Sequence, residues 1–231
     1  MRKFRPTQRA SEIIKRGTDA KSSVPFPQGA LHERSSFVSR ESVISALQKD
    51  DSAHLTPPEV RRRHSVCFTG HRQLDPQALP QITLRLDAVL EACYLKGFRE
   101  FLCGGALGFD VLCGERVLHL KNRHSDVRLI MVLPCSSQSI RWTEADCQRY
   151  ERLIYVADET RVLSPAYYSG CMMVRNRHMV DHSDLCICLM EKLKGGTVST
   201  VAYALQSGIP VLNIAMAQAC ATFVKNAAPP V

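Results

Sequence analysis

The chain has 231 residues, 45% of them hydrophobic, which suits one well-buried domain with extensions and is tight for two full domains. No apolar run nears the roughly 18–20 residues of a membrane helix, and no apolar segment follows the basic start Met1-Arg2-Lys3-Phe4-Arg5-Pro6 as in a secretory leader. A cytoplasmic protein with no membrane partner is expected. The net charge of +8 is uneven: residues 1–64 hold 13 Lys/Arg against 7 Asp/Glu, and residues 65–231 hold 17 against 15. Basicity thus belongs to the leading segment, which includes Arg61-Arg62-Arg63, and reads first as a solvated arm.

That segment, residues 1–63, carries Pro25-Phe26-Pro27 and Pro57-Pro58 with little sustained periodicity, and is expected to be a poorly ordered extension. Short helices are possible there at Ser11–Arg16 and Ser39–Gln48. From Ser65 onward the pattern alternates regularly. Ser65–Phe68 predicts a strand, and Leu79–Tyr94 predicts a helix through Ile82, Leu86, Val89, Leu90 and Cys93. A strand at Phe101–Cys103 leads into a helix over about 108–121, and Val127–Leu133 is a third strand. Trp142–Ala157 predicts a charged helix, Arg161–Leu163 a short strand, and Met172–His182 a further helix. Leu185–Met190 predicts an apolar strand, residues 195–207 a helix, and Ile209–Ile214 a last strand, with residues 217–231 as a tail.

Short strands alternating with helices imply right-handed crossovers. The expected fold is α/β, a Rossmann-like open and mainly parallel sheet with helices on both faces, spanning residues 64–216. Several of the ten cysteines lie inside apolar runs, and no C-x-x-C pair occurs, so reduced core thiols are expected.

In open parallel sheets, ligands sit where strands end and helices begin. Three such loops carry suitable residues. Thr69-Gly70-His71-Arg72 offers close backbone approach, a hydroxyl and an anion-gripping guanidinium. Cys103-Gly104-Gly105-Ala106-Leu107-Gly108-Phe109-Asp110 places three glycines before a helix, with Asp110 in its first turn as cap or ribose ligand. Lys194-Gly195-Gly196-Thr197 repeats the anion-binding logic. Neither GxGxxG nor GxxxxGK[ST] is present. Arg175 is expected to face a phosphate. His178 and His182, four apart on a helix, supply two metal ligands at most, and no metal is expected. Trp142 suits either base stacking or cover for the sheet edge.

These motifs, in this order, resemble the SLOG superfamily, which includes YpsA-like proteins, LOG phosphoribohydrolases and the DNA-processing protein A family. Thr69-Gly70 with Arg72, and Gly104-Gly105 through Gly108 and Asp110, are similar to the TG-x-R and GG-x-x-G-x-D loops of the YpsA-like branch. Arg175, Asp184 and Gly196-Thr197 look like the Arg, Asp and GT of the LOG enzymes. The resemblance implies a nucleotide-binding Rossmann-like fold over about Ser65–Ile214. The LOG pattern has a Glu three residues after its GT, and Thr200 stands there; Asp110 or Glu115 would be the substitute carboxylates.

The expectation is therefore a sensor or regulatory protein that binds a small nucleotide-like ligand of unspecified identity. Hydrolysis of an N-glycosidic bond in a nucleotide or ADP-ribose-like molecule is the second reading. A DNA-binding module using the basic extension is the third, and self-association into a homo-oligomer is compatible with all three.

Overall fold

The computed structural model describes residues 64–227. The basic extension and its two possible helices lie outside the described residues. Six strands and six helices alternate along the chain: β1 (Ser65–Gly70), α1 (Leu79–Leu95), β2 (Glu100–Cys103), α2 (Phe109–Lys121), β3 (Arg128–Leu133), α3 (Glu144–Val156), β4 (Glu159–Val162), α4 (Cys171–Asp181), β5 (Leu185–Leu189), α5 (Gly196–Gln206), β6 (Val211–Asn213) and α6 (Ala217–Lys225). The strands form one sheet in the order β4-β3-β2-β1-β5-β6, and every pairing is parallel. This is the expected Rossmann-like architecture.

Parallel strands are covered on both faces, so their apolar residues need not alternate with polar ones. Here they divide between two cores. Val66, Phe68, Phe101, Leu129, Met131 and Ile187 join a cluster with residues of α1, α2, α3 and α6. Their neighbours Cys67, Leu102, Ile130, Cys186 and Cys188 turn to the opposite face, against Met179 and Val180 of α4 and Val198, Val201 and Ala202 of α5. All ten cysteines are free thiols, and nine are buried. Cys186 and Cys188 lie on one face, as two-residue spacing dictates.

Some boundaries differ from the sequence reading for local reasons. Helix α3 begins at Glu144 rather than Trp142 because Thr143 caps it, its side chain accepting from the Asp146 N–H. Trp142 itself packs edge-to-face on Tyr150, with centroids 5.2 Å apart, so it covers core. Strand β4 starts two residues early. Strand β6 is only three residues long, following Pro210, which has no N–H to give a ladder. The stretch read as a tail after residue 216 carries α6, whose Ala219, Cys220 and Phe223 are buried in the first core. Helical spacing of only three small or isolated apolar residues concealed it.

Candidate functional site

The strand order reverses between β1 and β5, since the chain winds outward through β2, β3 and β4 before crossing back. A crevice outside the carboxyl ends of the strands at such a switch point is the usual ligand site of open α/β sheets. The loops after β1 and β5 flank it, and the loop after β2 adjoins it. All three carry the residues singled out from sequence. A hydrogen bond spans the switch point: the Glu191 N–H donates to His71 Nε2 at 3.1 Å.

The glycines fall into two kinds, distinguished by what a methyl group would meet. At Gly70 it would lie 2.4–2.6 Å from the Phe109 side chain, and at Gly105 2.7 Å from Met131 and 2.9 Å from Tyr150. At Gly104 it would lie 1.6 Å from Arg175 Nη1 and 2.8 Å from Asp110 Oδ2. At Gly108 it would meet the backbone of Arg72 at 2.3 Å and that of His71 at 2.5 Å. Gly105 is thus needed for Met131 and Tyr150, Gly104 for the Arg175–Asp110 pair, and Gly70 and Gly108 for the first two loops to pack against each other, an account that requires no ligand. A hydrogen bond from the Phe109 N–H to the His71 carbonyl, 3.1 Å, fixes the same contact.

Gly195 and Gly196 are different: a methyl group at either meets nothing within 4 Å. The φ of +86° accounts for glycine at 195, the N-cap of α5. Nothing inside the described residues accounts for it at 196. No side chain caps this helix, Lys194 beside it is exposed, and Thr197 is buried. The loop leading there is held by Asn213 at the end of β6, whose side chain accepts from the Met190 N–H at 3.0 Å and donates to the Met190 carbonyl at 2.8 Å.

Beneath the second loop lies an ion pair. Arg175, on α4, is 3% exposed, and its Nη1 sits 3.8 Å from Asp110 Oδ2. That Nη1 has no hydrogen-bond partner among the described residues. Asp110 Oδ2 also accepts from the Ala106 N–H at 3.4 Å. Burial pushes the Asp110 carboxyl above its ordinary range, and the attraction of Arg175 offsets only part of this. Arg175 thus props the glycine loop from below, where sequence suggested a cation open to a phosphate. Arg72 is exposed, and Thr69 is 5% exposed at the end of β1.

Asn213 is one of three polar side chains of the site missed from sequence; Gln138 and Asn176 are the other two. Gln138, after β3, donates from Nε2 to the carbonyls of Gly104 and Gly105 at 3.1 and 3.2 Å. Asn176 accepts from Arg175 Nε at 2.8 Å and donates to Thr200 Oγ1 at 2.8 Å. Thr200 in turn donates to the Gly196 carbonyl at 2.9 Å. The three lie on elements far apart in sequence, and no local motif marks them. Asp184 is not brought to the site. It stands at the amino end of β5, where it joins β1 through hydrogen bonds with the Ser65 backbone at 2.8 and 3.2 Å. Glu115 is also elsewhere, bonded twice to Arg149 at 2.8 Å.

The two helical histidines pack against each other with centroids 4.0 Å apart and their planes tilted by 31°. Among the described residues, no group of three or more His, Cys, Asp or Glu side chains gathers to hold a metal ion. Burial, helped by His182 and Arg161, pushes His178 down to about 4. A His that is harder to protonate folded than unfolded contributes stability above its ordinary pKa of about 6.5, and that contribution fades as pH falls toward 4. His178→Gln is therefore expected to flatten the loss of stability between pH 6.5 and 4, read from urea midpoints across that range.

Residues 66–210 match the model of the YspA SLOG family. The chain belongs to that family. Similar curated proteins include the uncharacterized SPbeta prophage-derived protein YoqJ of Bacillus subtilis, 30% identical over 52% of this chain and 78% of YoqJ. The UPF0398 protein BH1768 of Halalkalibacterium halodurans is 29% identical over 45% of this chain, which matches 56% of that protein. The UPF0398 protein YpsA of Bacillus subtilis is 25% identical over 53% of this chain and 69% of YpsA. Two solved structures of DNA processing protein A are also similar. That from Helicobacter pylori, described for its single-stranded DNA binding mode, has 21% identity and a TM-score of 0.44, over 64% of this chain and 63% of that one. That from Streptococcus pneumoniae has 16% identity and a TM-score of 0.47, over 72% and 58%. The chain spans less than two thirds of either structure. Within the YspA SLOG match lie all three glycine loops, Arg175 and Thr200. No helix among the described residues is long and apolar enough to cross a membrane.

Proposed function

We propose that this YspA SLOG protein binds a nucleotide or nucleotide derivative, its phosphate lying against Gly195-Gly196 at the switch point. One observation carries the reading: among the described residues, nothing packs where a side chain at Gly196 would lie. A residue without a side chain at the start of a helix that no side chain caps leaves the first N–H groups open to close approach by a ligand. The N–H groups and positive dipole end of α5 suit a phosphate, and exposed Lys194 and Arg72 supply further positive charge near the crevice.

Binding is favoured over hydrolysis because Thr200, where the LOG pattern has Glu, is 5% exposed and committed to Asn176 and the Gly196 carbonyl. Asp110, the remaining acidic candidate of the site, is sequestered with Arg175 under the glycine loop.

The test is a thermal-shift screen with AMP, NAD and ADP-ribose. A ligand at 100 times its Kd stabilises the native state by about 2.7 kcal/mol. Gly196→Ala is expected to leave the unliganded stability unchanged or raise it by up to about 1 kcal/mol. Gly196→Asp is expected to abolish the ligand-induced shift by setting a carboxylate where the phosphate lies, while the unliganded protein melts within about 2 °C of wild type. A shift that persists in Gly196→Asp counts against this site. No shift with any of the three compounds counts against nucleotide binding as a whole.

A further inference from the structure

The start of a helix is ordinarily held by a side chain that accepts from its first N–H groups, and such a cap occupies the groups an anion would meet. Helix α5 has no side-chain cap. Its first turn is held from the carbonyl side instead. Thr200 Oγ1, one turn into the helix, donates to the Gly196 carbonyl at 2.9 Å. That hydroxyl oxygen accepts in turn from Asn176 Nδ2 of α4 at 2.8 Å. The Gly196 carbonyl and the Thr197 N–H belong to one planar, trans peptide unit. Fixing the carbonyl therefore fixes the N–H, which points the opposite way, out of the start of α5.

The hold falls where the backbone is least restrained. Glycine has more conformational freedom than any other residue, and a methyl group at Gly195 or Gly196 would meet nothing within 4 Å, so packing at their α-carbons does not limit it. The chain of contacts also continues beyond Asn176. Its Oδ1 accepts from Arg175 Nε at 2.8 Å. Arg175 Nη1 stands 3.8 Å from Asp110 Oδ2, which accepts from the Ala106 N–H at 3.4 Å. One run of polar contacts thus joins the second glycine loop to the third. Arg175, Asp110 and Thr200 are all buried, a low-dielectric setting in which each contact weighs more than it would in water.

We propose that Asn176 and Thr200 are the positioning residues of the phosphate site: they hold the 196–197 peptide so that its N–H meets the phosphate, and they tie that peptide to the second loop. This rests on the function proposed above and adds what sets the geometry of its site. Neither side chain meets the ligand itself. Asn176 acts through Thr200, and Thr200 acts through the Gly196 carbonyl. Position 200 serves binding by its hydroxyl, which serine also carries.

Isothermal titration of the full chain with AMP and ADP-ribose, alongside thermal melting without ligand, tests this. Thr200→Val keeps the shape of the side chain and removes the hydroxyl; it is expected to weaken both ligands roughly three- to tenfold. Asn176→Ala, which leaves the Thr200 bond to Gly196 in place, is expected to weaken them about two- to threefold. The double variant is expected to lose no more than Thr200→Val alone, because both residues act through the same carbonyl. Thr200→Ser loses a buried methyl group, so it is expected to melt below wild type and to bind both ligands as wild type does. Val201→Ala, in the second core on the same helix, is expected to behave likewise.

Wild-type affinity in Thr200→Val or Asn176→Ala overturns the positioning role while leaving the phosphate site standing. So does an additive loss in the double variant, or a loss in Thr200→Ser and Val201→Ala that follows their lower melting temperatures. Failure of both nucleotides to bind the wild-type chain overturns the phosphate site and the positioning role together.

Discussion

Gly108→Ala is expected to destabilise the protein by about 3–5 kcal/mol, combining backbone strain with overpacking. Gly108 has φ +79° and ψ −117°, a conformation that L side chains rarely adopt. Its methyl group would also meet main-chain atoms, the Arg72 carbonyl at 2.3 Å and the His71 carbonyl at 2.5 Å. Neither can rotate aside as a side-chain tip can, so the first and second loops must separate. At about 2–4 °C per kcal/mol for a domain of this size, the melting temperature should fall by roughly 10 °C. Gly196→Ala is the matched control, because its methyl group meets nothing. Equal melting of the two variants would show that the loops are not packed as described.

Arg175→Ala is expected to cost about 3–5 kcal/mol near neutral pH by leaving a buried carboxylate without its counter-charge. The pH dependence separates this from lost packing. Burial already holds the Asp110 carboxyl above its ordinary range. The folded state thus binds that proton more tightly than the unfolded state does. This group's contribution to stability is complete below the unfolded pKa of about 3.8 and is lost as pH rises through the higher folded value. Removing Arg175 takes away the attraction opposing that rise, so the folded pKa climbs further. The stability difference between wild type and Arg175→Ala should therefore be larger near pH 8 than near pH 5, measured by urea unfolding. A difference that does not change with pH would mean that the guanidinium acts only by filling space under Gly104.

These two substitutions touch residues that look like ligand-binding residues in sequence, and their largest effects are expected on stability. The glycine loops were legible because glycines between a strand and a helix stand out locally. Which glycine serves packing and which leaves a surface open was not legible. Gly104 is glycine because a guanidinium from α4, about seventy residues later, fills the space beside it, and no spacing rule reports that. Gln138, Asn176 and Asn213 escaped notice for the same reason: their partners come from other crossovers, and each looks locally like an ordinary loop or helix polar residue.

Alternation of short apolar runs with amphipathic stretches determined the α/β class and nearly every element by itself, because burial on two faces and right-handed crossovers leave few other arrangements. Only the tertiary structure decided the rest. The order of strands put the reversal between β1 and β5, and thereby chose which loops meet. It moved Asp184 to the far end of the sheet and sank Arg175 beneath the second loop. Local periodicity reports which way a side chain faces within its own element; distances between elements are set by how the sheet is assembled.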